Sequence, residues 1–173
     1  MDGVNPAMAL DFPRLARRGA ELSGTFPVAA LERLTPLLHD DSGTIAAALT
    51  FREDESGRIR VEGSVSGVVQ LTCQRCLGPM AFEMAPRFDS VAVPDEAAAE
   101  ALPDEFESLV WSEEARTLGD LVQDELILAL PVIARHENDP YCRPYTADAP
   151  GGDGVVPETE NPFAGLARLR GDN

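Results

Sequence analysis

The sequence predicts a mixed α+β fold: a mainly antiparallel sheet with one principal helix, at about 117–130, and a short helix in a C-terminal tail. Three observations carry this prediction. Short segments with period-two alternation follow one another to about residue 93, separated by turn residues rather than long helices, which suits hairpin-connected strands and not a doubly wound parallel sheet. The strongest helical periodicity comes after them and stops at Pro131, a residue that cannot continue a helix. A stretch containing Ala149-Pro150-Gly151-Gly152-Asp153-Gly154 then separates this part from a last apolar segment. The expected organisation is one α+β domain over residues 1–145, a flexible acidic linker over 146–160 and a tail over 161–173.

Residues 20–26 alternate loosely, and Pro27 opens a short helical stretch over 28–38. Residues 44–51 read as a strand. Glu53-Asp54-Glu55-Ser56-Gly57 is a turn, after which 58–65 alternate cleanly. A further strand, 68–71, leads into Cys73, and 80–85 lead away from Cys76. The segment 93–107 is acidic and loop-like, and 108–111 can form a short strand. Thr117-Leu118-Gly119-Asp120 is a capping box with Asp in place of the usual Glu or Gln. Leu118, Leu121, Val122, Glu125 and Leu128 fall near helical spacing, with Asp120, Asp124 and Glu125 charging the polar side. Near the end, Asn161 can cap a helix and Pro162 suits its first position. A helix of about nine residues is marginal alone in water, so Phe163, Leu166 and Leu169 need a surface.

Composition narrows the function. No apolar run approaches the roughly 20 residues that span a bilayer, and the first residues lack the basic and apolar regions of a signal peptide. A soluble cytoplasmic protein with reduced thiols is the expectation. The net charge is −16 and there is no lysine, which excludes a Schiff-base or P-loop lysine. The charge is uneven: residues 1–88 hold eleven carboxylates and nine arginines, whereas residues 89–125 hold twelve carboxylates and one arginine. Such a surface repels phosphate backbones and suits a basic protein partner better than bare RNA. Simple solubilisation is the plainer reading of the same charges.

One chemical motif stands out, Cys73-Gln74-Arg75-Cys76. Two thiolates at this spacing reach one metal, and zinc takes four such ligands. Cys142 and His136 are the candidates to complete the set, giving Cys73, Cys76, Cys142 and His136 as ligands of a zinc ion. Two other readings stand beside it: buried or free thiols without a metal, and a redox pair. Redox motifs place Cys-x-x-Cys between a strand and a helix start, whereas strands flank this one on both sides and Gly78-Pro79 disfavours an immediate helix. Elsewhere, His39 beside Asp40 and Asp41 reads as a solvated loop. Gly63-Ser64-Val65-Ser66-Gly67 has Val65 where a nucleophile elbow needs serine. Asp120, Asp124 and Glu125 read as a solvated helix face rather than a divalent-cation site. No active site assembles from these parts, and a non-enzymatic protein is expected.

Four segments in order resemble the YceD-type family: Leu71-Thr72-Cys73-Gln74-Arg75-Cys76; Glu100-Ala101-Leu102-Pro103-Asp104-Glu105-Phe106-Glu107; Asp124-Glu125-Leu126-Ile127-Leu128-Ala129-Leu130-Pro131-Val132, followed by His136 and Cys142; and Asn161-Pro162-Phe163-Ala164-Gly165-Leu166-Ala167. The resemblance runs from about residue 12 to 170. It implies a factor supporting synthesis, processing or stability of large-subunit (23S) ribosomal RNA. The acidic charge adds the expectation of a basic ribosomal or assembly protein as partner, with RNA contact possible but indirect and no membrane. A zinc- or thiol-dependent enzyme acting on RNA is the alternative. Some relatives carry a second Cys-x-x-Cys where this chain has only Cys142, which puts a four-cysteine site in doubt. The tail residues Asn161, Pro162, Phe163, Leu166, Arg168 and Arg170 are the expected partner-binding group.

Overall fold

The computed structural model describes residues 5–111, 116–137, 142 and 143. The chain divides into two units, Met1–Arg143 and Pro144–Asn173. The tail residues named above, Asn161 to Arg170, lie outside the described residues, as does the linker.

Within the first unit, helix α1 (Phe12–Arg17) precedes β1 (Glu21–Pro27), two 3-10 turns (Val28–Ala30 and Thr35–Leu37), and strands β2 (Thr44–Glu53), β3 (Ile59–Thr72), β4 (Pro79–Met84) and β5 (Arg87–Val93). Helix α2 (Glu96–Glu100), strand β6 (Glu107–Val110) and helix α3 (Leu118–Ala129) follow. The mixed α+β class stands: among the described residues, six strands form one sheet in the order β1-β2-β3-β5-β6, with β4 also paired to β3, and only the β5–β6 pair is parallel.

Strand β3 organises the sheet. It spans 14 residues where the sequence suggested two separate strands. Alternation passes unbroken through Gly67, because Val61, Val65, Val69 and Leu71 all bury on one face. One edge pairs with β2; the other pairs first with β5 and then with β4. Gly63 sits opposite Phe88, whose ring lies where a side chain at Gly63 would stand: a Cβ there would come within 2.2 Å of it. The aromatic ring thus occupies space that the glycine leaves open.

The buried face of the sheet carries Ile45, Leu49 and Phe51 from β2, along with the β3 residues above. Phe12 of α1 meets Phe51 edge-on at 6.0 Å and stacks on Trp111 at 5.4 Å. Leu118, Leu121, Val122 and Leu126 of α3 close the same core, as do Val28, Leu31 and Leu34 from the 3-10 region. The helical stretch expected over 28–38 is therefore two short turns rather than one helix. Leu128, counted with the apolar stripe, is 76% exposed, and Leu126 takes its place in the core.

The capping box of α3 is present: the Thr117 hydroxyl accepts from the Asp120 N–H at 3.1 Å, and the Asp120 carboxylate accepts from the Thr117 N–H at 2.9 Å. Asp124 does not face open water. It accepts from Arg33 at 2.6 Å and pairs with Arg116, while the buried Gln123 accepts from the Arg33 N–H at 2.7 Å. These bonds tie α3 to the 3-10 region. Arg58, just before β3, and Arg60 within it lie over the Phe106 ring at 4.2 and 5.3 Å, and Arg60 also holds Asp89, so arginines of the balanced half pin the acidic segment.

Replacing Gly63 with Val should destabilise the domain by about 1–3 kcal/mol through overpacking against Phe88. Denaturant midpoints check this. In a Phe88→Ala background the same substitution should cost clearly less.

Candidate metal centre

The β3–β4 connection is a tight knuckle. Cys73 directly follows β3 and is buried; its N–H donates to the Gly78 carbonyl at 2.9 Å, and its own carbonyl accepts from Leu77 N–H at 2.8 Å. Leu77 adopts φ +59°, a left-handed conformation normally left to glycine, which turns the chain back after Cys76. Its side chain is half exposed, so nothing in the core requires a leucine there.

The remaining groups arrive from beyond α3. Pro131 ends the helix, Ala134 buries against the core, and its carbonyl accepts from the Gln74 N–H at 2.8 Å. This bond sets the returning chain beside the knuckle. The imidazole of His136 then points Nδ1 at Cys76 Sγ, 3.7 Å away, and Nε2 at the Pro79 carbonyl, 3.1 Å away. Cys142 is buried with its sulfur 3.6 Å from that of Cys73. The ligand atoms of Cys73, Cys76, His136 and Cys142 all lie within 4.8 Å of one another.

These separations suit a metal. Tetrahedral zinc, with bonds of about 2.3 Å to sulfur and about 2.0 Å to nitrogen, places neighbouring ligand atoms about 3.5–3.8 Å apart. The Cys73–Cys142 and Cys76–His136 distances fall in that range. A histidine that binds metal through one nitrogen commonly donates through the other, and the Pro79 carbonyl is placed to accept.

The thiols differ in electrostatics. Burial opposes ionisation of Cys73, but the backbone N–H groups of Cys76, His136 and Arg75 and the Cys142 side chain favour its thiolate, bringing its pKa down to about 5. Burial, followed by the hydrogen bonds and charges of Cys73 and Cys76, raises Cys142 to about 11. The environment of Cys73 thus favours the thiolate, the form in which a cysteine binds metal.

The sequence pointed to all four side chains. It did not reveal what gathers them: the Gln74–Ala134 bond, the Pro79 acceptor and the left-handed Leu77, whose usual signal would have been a glycine. His39 is an exposed residue bonded to Thr72 at 3.1 Å. Asp120 and Asp124 are engaged in the cap and the arginine pairs. Glu125 faces Glu107 and Asp124; burial first, then these charges, raises its pKa.

Fold and cluster together define a small α+β protein whose one hairpin knuckle gathers three thiols and an imidazole. The chain belongs to the YceD family: the family described as large ribosomal RNA subunit accumulation protein YceD matches residues 61–170. The chain is also 30% identical to the large ribosomal RNA subunit accumulation protein YceD of Haemophilus influenzae, over 98% of this chain and 99% of that one. No solved structure matches the chain.

In chelated protein, ultraviolet titration of the thiolates should show one ionisation with a midpoint near 5, lost in Cys73→Ser, and another near 11, lost in Cys142→Ser. The Cys73 pKa is depressed in the fold, so its stabilising contribution is complete above about pH 9 and declines as pH falls toward 5. The Cys142 pKa is raised, so its contribution is complete below about pH 9 and declines as pH rises toward 11.

Proposed function

We propose that this protein is a non-enzymatic, cytoplasmic factor that supports accumulation of large-subunit (23S) ribosomal RNA, and that a structural zinc held by Cys73, Cys76, His136 and Cys142 maintains its fold. Near-full-length similarity to a protein named for that role carries the functional half of the reading. Ligand spacing carries the zinc half. When bound, zinc would stabilise the knuckle and the returning chain as a cross-link. Four protein ligands leave no position for a reactive water, which favours a structural role over a hydrolytic one.

The charge supports protein contact over direct RNA coating. Asp95, Glu96, Glu100, Asp104, Glu105 and Glu107 are all exposed, and the arginines nearest the acidic loop, Arg58 and Arg60, are occupied by Phe106, Asp54 and Asp89. A basic ribosomal or assembly protein is the partner this field would attract, with salt-dependent association.

Two measurements check this reading. Protein purified without chelator should contain about one zinc per chain, and Cys73→Ser should lose both the metal and several degrees of melting temperature. Full reactivity of all three thiols with no bound metal would refute the zinc centre. In cells, deletion should lower mature large-subunit RNA relative to small-subunit RNA; an unchanged ratio would remove the functional reading. Cleavage of RNA by the purified zinc-loaded protein would favour the enzyme alternative.

A further inference from the structure

Among the described residues, strand β4 is paired on one side only. The register from Gly67↔Met84 to Thr72↔Pro79, together with the Cys73 N–H bond to the Gly78 carbonyl, fixes which backbone groups face β3. In an antiparallel ladder this orientation alternates, so residues 80, 82 and 84 bond to β3 while 79, 81 and 83 turn outward. Pro79 has no N–H, and its carbonyl accepts from His136. Ala81 and Glu83 therefore present two donors and two acceptors outward, without a backbone partner among the described residues.

A cleft of about 590 Å³ runs beside this edge. Met80 to Glu83 form one wall; Pro131 and residues 133–137 form the other. Met80 and Phe82 are half-buried, and Ile133 is 54% exposed, so apolar surface lies next to this edge. Edge strands are commonly blocked by proline or charge, and here those devices sit at Pro79 and Glu83 while Ala81 between them stays open. The rim carries the exposed carboxylates of Glu83 and Glu137 against one exposed cation, Arg135, on a chain of charge −16.

We propose that this cleft binds an extended, lysine- or arginine-bearing segment of a partner protein, which adds to the sheet as a strand beside β4. The occupant's extended form follows from outward backbone groups on alternate residues, which another strand matches and a helix does not. Its basic character follows from the rim carboxylates and the net charge; this part rests on the basic-partner reading above. The cysteine–histidine cluster shapes the cleft, because His136 bridges Cys76 and Pro79 and so holds the far wall against the β3–β4 hairpin.

Fluorescence anisotropy on the full-length, metal-loaded protein tests this with a labelled peptide of about ten residues alternating valine and lysine. The parent peptide should bind. The same peptide N-methylated at alternate amides keeps its charge but cannot join a ladder, and should bind at least about tenfold more weakly. Ala81→Pro should give a similar loss while leaving circular dichroism and metal content unchanged, since the N–H it removes faces outward. No binding by the parent peptide, or equal binding by the methylated one, would overturn strand addition, and this arm stands even if Ala81→Pro fails to fold. Equal binding of a valine–glutamate peptide would overturn the basic occupant. Tight binding of protein-free ribosomal RNA that displaces the peptide would do the same. In cells, a deletion strain restored fully by Ala81→Pro would overturn the cleft's role and leave the ribosomal reading intact. An unchanged RNA ratio on deletion would remove the ribosomal reading and leave the peptide measurements standing.

Discussion

Continuity of β3 is the constraint on which the rest of the molecule depends. This one strand pairs with β2, β4 and β5, and its buried residues form the middle of the core. Two glycines permit it. Gly63 admits the Phe88 ring, and at Gly67 a Cβ would press on Ile45 and the Thr44 carbonyl of β2. Glycine normally weakens a strand, and here the weakness is offset by contacts that only a missing side chain allows. The hairpin at the end of β3 carries the knuckle, so the position of Cys73 and Cys76 is inherited from the sheet.

Much of this architecture was legible in the sequence. Period-two segments at 44–51 and 58–65 became strands because each has one face to bury. The Thr117–Asp120 cap and Pro131 delimit α3 closely, since both act through local chemistry that no distant contact needs to supply. What stayed hidden was mostly decided by tertiary contacts. Residues 66–67 look like a break, yet neighbouring strands on both edges hold them extended. Helix α1 is six residues long, too short for a periodic signal, and its Phe12 is fixed by Phe51 and Trp111 from distant parts of the chain. Helix α2 lies in what read as an acidic loop, with Asp95 capping it through the Ala98 N–H. The parallel β5–β6 pair depends on the connection through α2 and could not be read from either strand alone.

The candidate site shows the same division. Cysteine and histidine types, with the Cys-x-x-Cys spacing, named the four side chains. Whether residues 60 and 69 positions away return to the knuckle is a question of three-dimensional path, answered by α3, by Pro131 and by the Ala134 carbonyl. Acidic residues were harder to interpret, because charge in a sequence does not say which carboxylates are already engaged. Asp89, Asp120 and Asp124 are occupied within the fold, whereas the exposed carboxylates between Asp95 and Glu107 remain to generate an outward field.

The spacing of the four candidate ligands along the chain also orders events during synthesis. Cys73 and Cys76 emerge together, His136 follows about sixty residues later, and Cys142 comes last. A nascent chain that ends before residue 136 can offer a metal only the two knuckle thiols, and one that ends before residue 142 offers three ligands. Both are weak holds, because metal affinity rises steeply as the ligand set is completed. The closed set exists only after α3 has formed and turned back toward the hairpin. Metal capture by all four groups would therefore mark a finished copy of the domain, distinguishing it from an incomplete one without any separate sensor.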